Sequence, residues 1–413
     1  MFTFIAVILV GLLKAENNDW LVYNQNNSSL PSNSVKAIAF DSSDVWLGTI
    51  DGLALISGSD WTVYNKNNSD LQDNYIRCIS IDNSGTKWIG TQNGVVSIDN
   101  SPSQRSWNVF NTSNSGLPIN SVTTVAIDGN NRKWFGTWGG GVAVFSNDNW
   151  EVYDMYNSLL PVNGIYDIKV DNDNNVWIAT HGGGLVRINN NNWQVYNPSN
   201  SNITTNIIYS IDFDEQGNIW LGAETGLLKF DGNQHWTLYN SYNTGWNFTS
   251  VMCVKYDDLS DKLYFGTYYG LGIYDNGNFS FKKTTNSLIS HNWISAINID
   301  EAHNKWIATL GGGVSIYNEN GVHVSTDGMM NKDLSIYSYP NPAKDNICIV
   351  FNNAKENINS IKLYDITGKI IKTRNIFPGE DSVCLDIEEL TSGIYICTAE
   401  TSKEIKTFKI VKA

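Results

Sequence analysis

Along most of the chain, apolar residues alternate with polar ones in short runs, and each run ends at a cluster of Asn, Asp, Ser or Gly. Residues 76–110 show the pattern as "IRCISID", "KWIGT", "VVSID" and "WNVF", separated by "NSGT", "QNG" and a longer polar loop. A period of two with frequent turn residues predicts antiparallel strands and argues against helices. The turns carry their own chemistry. Gly94 in "QNG" can supply the positive φ of a two-residue hairpin, and the Asp and Asn of "DNSG", "DGNN" and "DNDNN" can hydrogen-bond their own backbone.

The four-run unit recurs. "VWLGT", "KWIGT", "KWFGT", "VWIAT", "IWLGA", "LYFGT" and "KWIAT" carry aromatic anchors at Trp46, Trp88, Trp134, Trp177, Trp220, Tyr264 and Trp306, spaced 42 to 46 residues apart. Strand-rich units at that period read as propeller blades, because one sheet cannot bury both faces alone and a ring of sheets can. Seven anchors predict seven blades. A second aromatic closes each unit (Trp20, Trp61, Trp107, Trp150, Trp193, Trp236, with Phe279 in the sixth), and these rings are expected to fill the space between blades. The expected fold is all-β, a seven-bladed β-propeller over residues 16–326, a linker at 327–336 and a small β-sandwich at 337–413. Residues 20–24 are the expected outer strand of the last blade, which would hide open edges. The degenerate copy "GVHVST" at 321–326 is the alternative.

The repeated phrase, fullest in "IDNSGTKWIGTQNGVVSID" at 81–99, resembles the two-component-regulator propeller repeat. The resemblance covers about residues 20–325 and implies an extracellular or periplasmic sensor propeller of the kind found in Bacteroidetes. No kinase or DNA-binding segment accompanies the repeats, so the sensor-kinase role is not expected to carry over. Further on, "IYSYPNPAKDNICIVF" (336–351), "SIKLYDITGKIIKT" (360–373) and "LTSGIYICTAETSKEIKTFKIVK" (390–412) resemble a type IX secretion, Por type A, C-terminal sorting domain. The matching positions are Tyr339-Pro340-Asn341-Pro342, the Asp365–Gly368 turn with Lys369, Gly393-Ile394-Tyr395 and the basic–apolar end. This resemblance implies type IX secretion machinery as the partner of residues 337–413, and delivery to the outer surface or the medium.

Charge and composition narrow the classes further. The net charge of −14 would repel backbone phosphates, so no nucleic-acid partner is expected. "MFTFIAVILVGLLKA" (1–15) is too short to span a bilayer and reads as a signal peptide cut near Ala15–Glu16. No other segment resembles a transmembrane span. The five cysteines sit in apolar runs and read as buried hydrophobes, with a Cys384–Cys397 disulfide left open.

Subtracting the repeat isolates what varies. In a propeller, the turn between the second and third strands and the link into the next first strand share the face around the channel mouth. The residue after "GT" reads Ile50, Gln92, Trp138, His181, Glu224, Tyr268 and Leu310, and the residue before the first strand reads Ser34, Tyr75, Ser121, Gly164, Ile207, Ser250 and Trp293. "WGGG", "HGGG" and "LGGG" add one residue to their turns. The expected ligand-binding set is Tyr75, Gln92, Trp138, His181, Glu224, Tyr268, Tyr269 and Trp293. Flat rings with a few polar groups suit sugars, which have apolar C–H faces and hydroxyl edges. The competing reading is ordinary turn residues with scattered aromatics. Trp246 takes the place of Leu30, Leu71, Leu117 and Leu160 and is expected to plug a loop. The Asn at 33, 74, 120, 163, 206 and 292 is expected to fix its turn by a side-chain hydrogen bond.

Metal and catalytic signatures are missing from the sequence: no HExxH, Walker loop, GxSxG or dinucleotide fingerprint occurs, and "DNDNN" lacks the Gly and closing Glu of a calcium loop. Neither cofactor nor metal is expected. The chain reads as an exported binding module for a glycan. A protein-interaction scaffold is the alternative, and a lyase or glycosidase using His181, Glu224 and Tyr268 is a further one. Glu224 is the sole acid in its column, whereas a glycosidase uses two carboxylates.

Overall fold

The computed structural model describes residues 19–99, 105–322, 335–339, 343–352, 358–376, 382–401 and 405–412. The chain divides into two units, residues 1–326 and 327–413. Residues 1–15, read as a signal peptide, lie outside the described residues, as do 323–326 of the degenerate strand copy and 327–334 of the expected linker.

In the first unit the alternating runs form seven four-stranded antiparallel sheets among the described residues. The first strands of these sheets are Val35–Asp41, Ile76–Ile81, Val122–Ile127, Ile165–Val170, Ile208–Phe213, Cys253–Asp257 and Ile294–Ile299. Each lies beside the first strand of the next sheet, and Ile294–Ile299 lies beside Val35–Asp41. There the Ser295 hydroxyl donates to the Val35 carbonyl at 2.5 Å and Asn298 Nδ2 to the Ile38 carbonyl at 3.0 Å. Trp20–Tyr23 supplies the outer strand of the Ile294–Ile299 sheet, pairing from Trp20↔Tyr317 to Tyr23↔Val314. The sequence preference for residues 20–24 over 321–326 agrees with this pairing.

Four of the five letters of "KWIGT" now have a physical reason. The anchor rings are buried, each worth about 4–6 kcal/mol of transfer free energy as an upper bound. The Gly admits the next sheet: a Cβ on Gly136 would lie 2.6 Å from Ile165 Cγ2. The Thr hydroxyl closes the hairpin, as where Thr137 donates to the Gly141 carbonyl at 2.7 Å. The Lys reaches back to the preceding sheet. Lys133 Nζ lies 3.2 Å from Asp82 and over the Trp88 ring, and Lys305 Nζ lies 2.9 Å from Asp257 and over the Tyr264 ring. Lys87 does the same with Asp41 and Trp46.

First strands are sheet edges, and their free N–H groups need partners. Side chains of the preceding first strand accept several of them. Asp167 takes the Ile211 N–H at 3.0 Å, Ser210 the Val254 N–H at 3.2 Å and Asp212 the Tyr256 N–H at 2.7 Å.

In the second unit, a three-stranded sheet (Ser335–Tyr339, Asn346–Asn352, Ser382–Asp386) and a four-stranded sheet (Ile370–Asn375, Ile358–Tyr364, Gly393–Thr401, Ile405–Lys412) share one core. Ile347, Ile349, Leu363, Cys397 and Ile410 lie at its centre. The strand Ser335–Tyr339 begins inside the expected linker. A disulfide joins Cys348 to Cys384 across paired strands, while Cys397 is free and buried. The open Cys384–Cys397 pairing is therefore corrected: alternation sends Cys397 inward to the apolar core, and Cys384 faces Cys348 instead.

Candidate functional site

The turns after "GT" and the lead-in loops meet through backbone bonds. The His181 N–H donates to the Gly164 carbonyl at 2.9 Å, and Leu310 to Trp293 at 3.0 Å. Across sheets, Gly94 donates to Asn120 at 2.7 Å, and Gly182 to Asn206 at 3.0 Å. The two variable columns therefore share one face. The repeated Asn acts locally: Asn120 Oδ1 accepts the Thr112 N–H at 2.8 Å and Asn163 Oδ1 the Met155 N–H at 2.8 Å. At Asn206 the residue eight positions back is Pro198, which has no N–H to give.

Ring contacts bring several of the expected residues together. Trp138 meets His181 at 5.0 Å between centroids, and Tyr268 meets Trp293 edge-on at 4.9 Å. Gln92 Oε1 accepts from Arg77 Nε at 3.0 Å and from the Ser121 hydroxyl at 3.4 Å, while Arg77 lies 5.1 Å over the Tyr75 ring. Trp138, Tyr268 and Trp293 are 43%, 41% and 40% exposed. Glu224 is exposed, and its backbone carbonyl accepts from the Ser250 hydroxyl at 3.1 Å. Tyr269 does not join the others through any ring contact among the described residues. It occupies the hairpin position of Asp51 and Asn93, whose side chains turn to the next sheet's Asn74 and Asn120.

The residues that sequence reasoning missed stand on a bulge. Pairing of first with second strands slips after Val35, Ile76, Val122, Ile165, Ile208 and Ile294. The extra residue at each slip is Lys36, Arg77, Thr123, Tyr166, Tyr209 or Ser295, and bulges re-aim side chains. Tyr166 packs against Trp138 at 5.3 Å, His181 at 5.3 Å and Tyr209 at 4.9 Å. Burial, then the neighbouring Tyr209, Tyr268 and Glu224, push the Tyr166 hydroxyl up to about 12. Burial, with Glu224 and Tyr268, also raises Tyr209. Burial and then the Arg77 charge lower Lys36. The column varies from Lys36 to Tyr209, but so do the columns of Asp167 and Lys169 in the same strands, so variety alone did not single it out.

Among the described residues no hydrogen bond or ring contact joins the side chains of His181, Glu224 and Tyr268: His181 meets Trp138 and Tyr166, and Tyr268 meets Trp293. Trp246 is no plug. It is 37% exposed beside Phe281, and Phe248 is buried instead; the turn before it keeps the hydrogen bonds of its counterparts, and Gly245 at φ +75 is where the loop departs from them. "DNDNN" is a turn: Asp171 Oδ1 accepts the N–H groups of Asp173 and Asn175. Asp257, Asp258 and His303 cluster, but the Lys305 ammonium already sits 2.9 Å from Asp257. A cleft of ≈ 450 Å³ lies away from the expected mouth, between the third and fourth sheets, lined by Arg132, Trp134, Tyr153, Asn174 and Trp193 among others.

Residues 337–413 match the family model of the secretion system C-terminal sorting domain, and residues 159–182 that of the two component regulator propeller. The fold is similar to the extracellular domain of the putative hybrid two component system BT4673 from B. thetaiotaomicron, at TM-score 0.60 and 20% identity over 80% of this chain. This chain spans only 46% of the length of that structure. It is also similar to virginiamycin B lyase from Staphylococcus aureus, at TM-score 0.57 and 14% identity, covering 72% of this chain and 98% of that one. No curated protein matches the chain.

Proposed function

Because this chain carries a two component regulator propeller repeat and ends in a secretion system C-terminal sorting domain, we propose that it is an exported seven-bladed propeller whose channel mouth binds a glycan. The sorting domain makes it a secreted surface protein. The count of seven blades is supported by the cycle of first-strand neighbours, and a sandwich form for residues 337–413 by the one core its two sheets share. In this reading residues 1–15 are a signal peptide and residues 337–413 engage the type IX machinery.

One observation carries the glycan reading. Trp138 and Trp293 stand 43% and 40% exposed beside Tyr166, His181 and Tyr268, whereas the anchor ring of every sheet, six Trp and Tyr264, is buried. Leaving such rings in water costs folding free energy that ligand stacking recovers. Glu224, Gln92 and His181 offer edges for hydroxyl groups.

The test is a glycan array probed with the full chain beside Trp138→Ala and Trp293→Ala. Retained glycan that both variants lose, at unchanged melting temperature, supports the reading; retention indifferent to both removes it. New reducing ends in the same samples would point to cleavage by His181, Glu224 and Tyr268. Capture of proteins without any glycan would point to a scaffold.

A further inference from the structure

Apart from Tyr75 and Gln92 of the second sheet, the residues of the mouth named above come from the third to the seventh sheet, and the first two sheets differ in their bulge column. Their bulge residues are Lys36 and Arg77, side by side on neighbouring first strands. Resting on the glycan reading above, we propose that Lys36 and Arg77 form a subsite for an anionic substituent on the bound sugar, a carboxylate or a sulfate ester.

Three observations support it. First, neither cation has an ion-pair partner among the described residues, in a chain of net charge −14. The channel carboxylates are already engaged elsewhere. Asp167 accepts from Thr124, Ile168 and Ile211, and Asp212 from Tyr256 with Lys255 at 3.5 Å. Second, the guanidinium of Arg77 is held before any ligand arrives: Gln92 Oε1 accepts from its Nε and one terminal nitrogen, and the Tyr75 ring lies beneath it. Part of its donor fork stays uncommitted, the arrangement that suits a carboxylate or sulfate. Third, the two charges repel each other in partly buried positions, and the Lys36 ammonium is held below its ordinary value by burial and by Arg77. A bound anion relieves both penalties.

The experiment titrates uronate oligosaccharides, each paired with its carboxyl-reduced form, and a sulfated galactan oligomer, into the full chain by calorimetry at low and high salt. Wild type should bind the acidic member at least tenfold more tightly than its neutral pair, with the ratio shrinking at high salt. The sulfated arm separates the two anion sources. Lys36→Met and Arg77→Gln together should bring the ratio within twofold, at unchanged melting temperature. Equal binding of acidic and neutral members by wild type overturns the subsite and leaves the glycan reading standing. A ratio that survives both substitutions also overturns the subsite. Binding of no oligosaccharide at all overturns both.

Discussion

The indole N–H of Trp220 donates to Asp214 Oδ2 at 2.8 Å, while Asp214 Oδ1 accepts the backbone N–H groups of Gln216 and Asn218. One carboxylate thereby closes the first hairpin of its sheet and orients the buried ring. The same pairing joins Trp88 to Asp82 at 3.0 Å, and Trp134 to Asp128, Trp177 to Asp171 and Trp306 to Asp300 at 2.8 Å. Trp46 departs from it. Asp41 holds the same column, but its hairpin is one residue shorter, its carboxylate pairs with Lys87, and the buried indole N–H has no partner among the described residues.

That contrast gives a controlled comparison. Trp220→Phe and Trp46→Phe remove similar area from buried sites, but only the first breaks a hydrogen bond to a carboxylate. Trp220→Phe should cost about 1.5–3 kcal/mol more than Trp46→Phe, read as the difference in urea midpoints at constant m. Equal costs would mean that the indole–carboxylate bond adds nothing to ring burial.

Lys133 predicts a pH dependence. Burial alone would raise the Asp82 carboxyl, but hydrogen bonds from Ser84, Trp88 and Lys133 outweigh it and hold the group at about 2. Its unfolded value is about 3.9. A depressed carboxyl contributes stability above the unfolded value and loses it as pH falls toward the folded one. Lys133→Met should cost about 2 kcal/mol at pH 7, and the gap from wild type should close between about pH 4 and pH 2. Urea midpoints at pH 7, 4 and 2.5 check it; a gap as wide at pH 2.5 as at pH 7 contradicts the assignment.

The sheets were legible in the sequence because alternation and the period act residue by residue: Trp134 and Gly136 mark places that neighbouring sheets explain, and Thr137 one that its own hairpin explains. That the two variable columns share one face was legible for the same reason, since His181 and Gly164 fall in fixed columns. Tyr166, Tyr209, Lys36 and Arg77 were not, because a one-residue slip in pairing re-aims them, and strict alternation cannot register a slip. Trp246 misled because its column was inherited from the repeat, whereas Gly245 at φ +75 redirects the chain just before it. The pairing of Cys348 with Cys384 depends on which strands become neighbours, and spacing along the chain does not carry that information.

The Cys348–Cys384 bond spans 36 residues of the second unit. A loop of that length is expected to contribute about 3–4 kcal/mol, chiefly by restricting the unfolded chain. Replacing both cysteines with Ser should lower the guanidinium midpoint of that unit accordingly, followed by far-ultraviolet circular dichroism. All Trp residues precede residue 307, so Trp fluorescence is an internal reference for the first unit. Reductant added to wild type should reproduce the shift, and a midpoint insensitive to both treatments would show that the bond carries no stability.

Trp20–Tyr23 closes the last sheet with residues from the other end of the unit. Trp20 packs on Tyr317 at 4.6 Å, Tyr23 meets Trp61 of the first sheet at 5.3 Å, and a Cβ on Gly313 would lie 2.1 Å from the Tyr23 carbonyl. That glycine, at φ +85, is the residue that lets the strand approach. A chain beginning at Gln25 loses all three contacts and bares the edge Val314–Tyr317. We expect its melting temperature to fall by roughly 5–10 °C, with concentration-dependent self-association through the open edge. Supplying residues 16–24 as a free peptide should restore both, because the binding groove is already formed. A truncated chain that melts like the full one and stays monomeric would show that the ring holds without this strand.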